Sequence, residues 1–348
     1  MALAARAATP VVCIFPQGIA PPTKRQRKVA PRLSVVIVNY RQWANTANLV
    51  RQLRRSRCAR RGLAEIIVVD NHSPPSRLMH KLRRTPGVSV RRWSWNHGFA
   101  KAVNEGCRLS RGQWFLLLNP DMSVADGFLD QVLARAKFLQ ATDAKTGIIG
   151  FRLRNPDGSH QLSAGAFPSL LGTLTGLAFP RARRKYCRPP LDHPSRVDWV
   201  TGCCLLVRRG CLEDVGRLDE NYFLYYEDVD LCRRARSKGW SVWYDPKPSA
   251  VHFSPLHSRK VEPWLRVVTR HSLLTYATRN WPVWQTRLLC GVVRAEARVR
   301  RVWAKLRGHD ATEAVFRQLD ELAADLARDE TTKARQRLQL VLNNKEAL

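Results

Sequence analysis

Three apolar runs constrain this chain more than any other feature, because each is too evenly apolar for a sheet with one wet face. Ser34-Val35-Val36-Ile37-Val38 stops at Asn39-Tyr40. Glu65-Ile66-Ile67-Val68-Val69 stops at Asp70-Asn71-His72-Ser73. Trp114-Phe115-Leu116-Leu117-Leu118 stops at Asn119-Pro120-Asp121. Unalternating, mostly β-branched or apolar runs of this length read as strands buried on both faces, the condition of a parallel sheet covered by helices. The intervening segments supply helices: a start at Asn45 or Thr46 running to about residue 57, Gly98 to Leu109, and a stretch near 126–139. Val88-Ser89-Val90 and Gly147-Ile148-Ile149-Gly150 add strands. This alternation predicts an α/β fold of βαβ units with a mainly parallel central sheet.

In such sheets ligands bind beyond the carboxyl ends of the strands, and the polar stops fall there. Any one strand can end in Asn, Asp or Pro for the sake of its turn. Three such stops on one edge, two of them with carboxylates, favour a binding site. The second half is less regular. Residues 181–196 form a loop rich in Arg, Lys and Pro, Val197 to Val207 reads as a strand, and Glu227 to Lys238 as a helix. Val242-Trp243-Tyr244 and Ala250-Val251-His252-Phe253 are short strands.

Several chemistries are excluded by missing motifs. The chain has no G-x-G-x-x-G after its first strand, no phosphate-binding G-x-x-x-x-G-K-[ST], no G-x-S-x-G elbow and no C-x-x-C pair. A set of acids and one isolated histidine remain. Asp121, at a strand end, can hold Mg2+ or Mn2+ with diphosphate oxygens completing the shell, although in isolation a helix cap or Asx turn explains it better. Tyr225-Tyr226-Glu227-Asp228-Val229-Asp230 opens a helix whose acids suit the macrodipole. Three acids in four positions after two aromatics exceed what capping needs, so one of them is a candidate general base. His252, after Ala250-Val251, is a structural histidine or a further metal ligand.

Composition bears on the partner. With 59 Lys and Arg against 28 Asp and Glu, the net charge of +31 calls for a polyanionic partner or surface. A nucleic-acid-binding protein is therefore one alternative, but no helix-turn-helix, RNP motif or zinc finger is present. The odd, scattered set of nine cysteines reads as free buried thiols in a reducing compartment. Neither candidate membrane segment survives inspection. Pro10 and Pro16 bracket the short apolar run Val11–Phe15, and Pro168, Gly172 and Gly176 interrupt the uncharged residues 162–180.

Taken in order, the motifs resemble a known family. They are Ser34–Tyr40, Val68-Val69-Asp70-Asn71-His72-Ser73, Trp95-Asn96-His97-Gly98-Phe99-Ala100 with Asn104, and Leu117-Leu118-Asn119-Pro120-Asp121. Asn155-Pro156-Asp157-Gly158-Ser159, Asp198-Trp199-Val200-Thr201-Gly202 and Phe223–Leu231 follow. About residues 33–280 are similar to the family 2 glycosyltransferases of the GT-A fold, in the rhamnosyltransferase-like branch of bacterial polysaccharide assembly.

The resemblance implies an inverting, metal-dependent transfer of one sugar from a nucleotide-sugar donor, frequently dTDP-L-rhamnose in this branch, to a glycan or lipid-linked acceptor. It implies that Asp70 contacts the base or ribose and that Asn39, Asn71, Asn96, Gly98, Asn104 and Asn119 line the rest of the nucleotide-sugar pocket. Asn119 and Asp121 stand where the family has its D-x-D, with His252 joining Asp121 on Mg2+ or Mn2+. Asp228, with Glu227 beside it, supplies the base, and Trp199 and Gly202 lie toward the acceptor. Asn119 is a neutral ligand at best, which leaves Asp121 most of the charge on the metal. The Q-x-x-R-W string of processive members is missing, which favours one residue added per encounter. An inactive scaffold of an assembly complex would have lost its acids, but Asp121 and Asp228 are both present.

The chain then divides into a basic flexible extension (1–32), the GT-A domain (33–280), a basic amphipathic helix (281–308) and a C-terminal helical tail (309–348). In the third, Trp284, Leu288, Val292, Ala295, Val299, Val302, Trp303 and Leu306 recur at helical spacing beside Arg287, Arg294, Arg298, Arg301 and Lys305. This helix lies either in an anionic membrane interface or against the domain with its basic face wet. With lipid-linked acceptors, the expected location is cytoplasmic, peripheral on the inner face of the cytoplasmic membrane. Asp310 with Glu313 predicts a capping box opening the tail.

Overall fold

Successive residues of the first apolar run point into two different cores. In the computed structural model, which describes residues 31–176, 192–253 and 261–344, Val35 and Ile37 pack on one face of the sheet, and Val36 and Val38 on the other. The extension before residue 31, residues 181–191 of the basic loop, Cys13 and Cys187 lie outside the described residues.

The elements are β1 (Leu33–Asn39), α1 (Trp43–Leu53), α2 (Arg57–Arg60), β2 (Ala64–Asn71), α3 (Arg77–Arg83), β3 (Val88–Trp93), α4 (Phe99–Leu109) and β4 (Trp114–Leu118). Next come β5 (Met122–Val124), α5 (Phe128–Thr142), β6 (Thr146–Arg154), β7 (His160–Gln161), β8 (Ala164–Gly165) and α6 (Leu170–Gly176). After them run β9 (Ser195–Arg196), β10 (Trp199–Val200), β11 (Cys204–Arg208), α7 (Arg209–Asp214), α8 (Glu227–Ser237) and β12 (Ser241–His252). Four helices follow: α9 (Pro263–Asn280), α10 (Val283–Leu306), α11 (Asp310–Ala327) and α12 (Thr331–Asn343).

The main sheet runs β3-β2-β1-β4-β11-β6-β12-β5. β3, β2, β1 and β4 are mutually parallel, as the buried runs predict. β11 is antiparallel to both β4 and β6, and β12 returns parallel to β6, so the whole is a mixed, GT-A-like α/β sheet. Helices α1 and α5 supply apolar side chains to one face (Leu49, Leu53, Phe128, Val132) and α4 and α8 to the other (Val103, Cys107, Val229, Leu231). Each fully buried aliphatic side chain here contributes about 1.5–3 kcal/mol, which is why the sheet is rigid enough to hold a site at its edge.

Three local readings change. The first helix is capped at Gln42 and starts at Trp43, because the Thr46 hydroxyl is spent on Asn39 Oδ1 at 2.7 Å instead of on a cap. The strand read at Val197–Val207 breaks at Thr201-Gly202-Cys203, between β10 and β11. Conversely, the two short strands near 242 and 250 are one, β12, joined across a register shift between Asp245 and Ser249.

Helices α9 to α12 share one apolar cluster with Leu170 of α6. The expected capping box does not form: His309 caps α11 without a side-chain bond, and Glu313 instead accepts from Arg301 Nε at 2.5 Å. Among the described residues no helix is long and apolar enough to cross a membrane. The described cysteines are free and buried, and burial pushes thiols such as Cys58 up to about 12.

Candidate active site

The carboxyl ends of β1 and β2 are tied to each other. Asn39 donates to Asp70 Oδ1 (2.8 Å) and Ser73 Oγ (3.0 Å), and accepts from Thr46. Asp70 also accepts from Arg92 Nε of β3 at 3.3 Å. Asn39 and Asp70 are both fully buried, so they shape the strand ends, and Arg92, about one-third exposed, is the member of the group that reaches the surface.

Asn71 staples the next loop. Its amide donates to Asn96 Oδ1 (2.8 Å) and Gly98 O (3.0 Å), while its oxygen accepts from His97 N (2.9 Å). Gly98, at φ +89°, starts α4 where the chain touches Phe223: a Cβ here would lie 2.7 Å from Phe223 O, and Phe99 N donates to that same oxygen. Asn104 is held from both ends, donating to Leu218 O and Glu220 Oε1 and accepting from Leu218 N. Asn71, Asn96 and Asn104, expected to line a pocket, are bonded within the protein, in a wall joining β2, α4 and the segment 218–226.

Asp121 and His252 meet because β5 pairs with β12, opposing Met122 to His252. His252 Nε2 lies 3.4 Å from Asp121 Oδ1, with both side chains largely buried. On the other side of the imidazole, Gln161 Nε2 is 3.0 Å from Nδ1. Gln161 had no sequence signal, since it sits in a two-residue strand without pattern. Its Oε1 is buried and has no hydrogen-bond partner. Exchanging the two ends of that amide lets Oε1 accept from an Nδ1–H and leaves the Nε2 lone pair facing Asp121. A metal-binding imidazole needs that arrangement, so the pair fits a divalent cation. Among the described residues no cluster of three or more His, Cys, Asp or Glu forms a metal site, and Asp121 with His252 is a candidate pair.

A chain of contacts links this pair to the acids of α8. Asn119 N donates to Cys203 O at 3.0 Å, and the neighbouring Gly202 N donates to Asp228 Oδ2 at 2.9 Å. A Cβ on Gly202 would stand 3.3 Å from Asp228 Cβ, so glycine lets the carboxylate approach. Val229 N holds the other oxygen at 2.9 Å. Tyr225 and Tyr226, just before, adopt φ +73° and +68°, a conformation aromatic residues adopt only under constraint. Glu227 is buried beside Asp228. Asp230 is occupied: burial pushes its carboxyl up, and Arg234, 2.7 Å away, pulls against that.

Trp199 requires a correction. It is completely buried, donates through Nε1 to Ala166 O at 2.8 Å, and packs in the core against Gly165, so it does not present itself to an acceptor. The helical region also reaches the site. Ser272 Oγ donates to Leu224 O (2.8 Å), Tyr276 packs on Tyr226 with centroids 5.7 Å apart, Arg279 pairs with Asp219, and Arg335 binds Asn221 and the Glu220 carbonyl.

The mixed sheet, its polar edge and the buried acids define a glycosyltransferase of the GT-A fold. The sequence model of Glycosyl transferase family 2 matches residues 34–216, and the chain belongs to that family. The N-acetylglucosaminyl-diphospho-decaprenol L-rhamnosyltransferase of Mycobacterium tuberculosis is 31% identical over 226 residues, 59% of this chain and 71% of that protein. Low-salt glycan biosynthesis hexosyltransferase Agl10 of Haloferax volcanii is 26% identical over 246 residues, 69% of this chain and 73% of its own length. Among solved structures, GalNAc-T7 with UDP, GalNAc and Mn2+ superposes at a TM-score of 0.50 with 17% identity. That likeness covers 72% of this chain, which spans about half (51%) of the GalNAc-T7 chain, and it speaks to the fold alone.

Proposed function

We propose that this enzyme transfers one sugar per encounter, with inversion, from a nucleotide-sugar to a glycan or lipid-linked acceptor in cell-surface polysaccharide assembly. The observation that carries the reading is the contact chain Asp228, Gly202-Cys203, Asn119-Pro120-Asp121, His252, which sets a buried carboxylate and a metal-fitting pair along one sheet edge. Asp121 and His252 would hold Mg2+ or Mn2+, which when bound neutralises the charge on the departing nucleoside diphosphate. Asp228 takes the proton of the acceptor hydroxyl. The hydroxyl oxygen bonds to the anomeric carbon from the face opposite the diphosphate, whose bond to that carbon breaks with the electron pair leaving on the diphosphate oxygen.

The asparagine and Gly98 wall, with Asp70 and Arg92 behind it, supports a nucleotide pocket there. Because the mycobacterial relative is named for L-rhamnose, dTDP-L-rhamnose is the donor we propose first. We further infer a location on the inner face of the cytoplasmic membrane, reached through residues 281–308. The test is a thermal-shift screen of nucleotide-sugars with Mn2+ or Mg2+: the donor should raise Tm strongly, and only with metal. Absence of metal-dependent stabilisation by any nucleoside diphosphate would sink the proposal.

A further inference from the structure

Helix α10 has two apolar faces, and its neighbours use only one. Leu289, Cys290, Val293 and Ala297 are buried in the helical cluster, and Ala304 on the same side is buried too. On the opposite side Trp284, Leu288, Val299, Val302 and Leu306 are exposed and fall on one helix face, with steps of four, eleven, three and four residues and Trp303 beside it. Exposure reaches 63% at Trp284, 57% at Trp303 and 78% at Leu306, and these side chains share one helix where other exposed hydrophobics such as Trp95 and Leu171 stand singly. The stripe is about 33 Å long at the helical rise.

The charge that α10 carries beside it is basic. Arg287, Arg298 and Lys305 run along one border, where Arg298 pairs with Asp320 of α11 at 3.0 Å, and Arg300 and Arg307 lie toward the other. The helix's one acid, Glu296, accepts from Arg266, Arg270 and Arg300 and so offers no countercharge outward. A groove of about 710 Å³ opens where α10 meets the start of α11, lined by Val299, Trp303 and Phe316 and by Arg300, Arg307 and His309. Arg300 stands over Phe316 and Arg307 over Trp303, at 5.8 and 5.2 Å from the ring centres.

We infer that the outward stripe of α10, with its cationic borders and this groove, is a preformed docking face for an anionic phospholipid bilayer. The stripe enters the acyl boundary, the tryptophans sit at the headgroup level, and Arg300, Arg307 and His309 receive a phosphate headgroup beside the apolar groove. A second copy of the chain fits less well, since like-charged borders would face each other across a two-fold contact. Nucleic acid fits less well too, because a phosphate backbone gives Leu306, Val299 and Val302 nothing apolar to bury against. The inference rests on the reading that the enzyme works at a membrane, but it fixes the face: α10 lies flat while its inner side keeps its packing.

The test is flotation of the full chain with vesicles of phosphatidylcholine alone and of phosphatidylcholine with about one-third phosphatidylglycerol. The parent should float with the anionic vesicles at least tenfold better, and less so as salt is raised. Val299→Glu with Trp303→Glu should lower that partitioning tenfold or more, and Arg287→Glu with Lys305→Glu should remove the preference for anionic lipid. Each variant should keep its helical circular dichroism and its stabilisation by nucleoside diphosphate with Mn2+. Equal binding of the parent to both vesicles, or undiminished flotation of the first double variant, overturns the inference. So does sedimentation showing a parent dimer and a variant monomer without flotation. Loss of nucleotide stabilisation with flotation intact would instead overturn the proposed function and leave the docking face standing.

Discussion

At the residue scale, Asp228 accepts from two backbone N–H groups, at 2.9 Å each, so an asparagine of the same shape keeps one of these bonds and loses the other along with the charge. Asp228→Asn is therefore expected to lower the transfer rate by about 10²–10⁴-fold, with donor binding by thermal shift nearly unchanged. His252 depends on Gln161. His252→Ala is expected to abolish metal-dependent stabilisation by the nucleoside diphosphate, and Gln161→Ala to weaken apparent Mn2+ affinity by about 10–100-fold, read by titration of the metal against Tm. The acids and His252 were legible because each interrupts an apolar or aromatic run. Gln161 was not, because nothing in a two-residue strand distinguishes a partner of histidine from a surface amide. Asn39, Asn104 and Trp199 show the reverse. The resemblance implied ligand or acceptor contact for them, yet they are buried and bonded within the protein, and sequence does not say which face of an asparagine or tryptophan is covered.

At the scale of elements, Gly98 links the start of α4 to the strained turn before α8. Gly98→Ala would force a Cβ to 2.7 Å from the Phe223 carbonyl at a φ of +89°. It is expected to destabilise by about 1–3 kcal/mol in denaturant unfolding and to lower transfer by displacing Tyr225-Tyr226 ahead of Asp228. The parallel half of the sheet could be read directly, since β1, β2 and β4 are apolar on both faces. The antiparallel insertion of β11 could not, because strand direction is decided by which partners the chain finds in space. The break at Thr201-Gly202-Cys203 was hidden for a related reason: the apolar residues run on through it, and only the approach of Asp228 requires the turn.

For the whole molecule, the α9–α12 cluster holds the 218–226 segment that the catalytic region presents to it. Buried His271 of α9 lies within that cluster, and burial, with Arg335 nearby, lowers its imidazole to about 4 from an ordinary 6.5. A folded value below the unfolded one means stability is complete above pH 6.5 and is lost as the unfolded chain gains the proton between about 6.5 and 4. The loss is on the order of 3 kcal/mol. His271→Leu is expected to flatten the pH dependence of unfolding across that window relative to the parent, whatever its effect at neutral pH. The pairing of β5 with β12 has a consequence in time as well. Asp121 is made early and His252 late, and the register of Met122 with His252 is what joins them. A ribosome-bound chain can thus complete the parallel strands β1 to β4 while the second member of this pair is still unsynthesised.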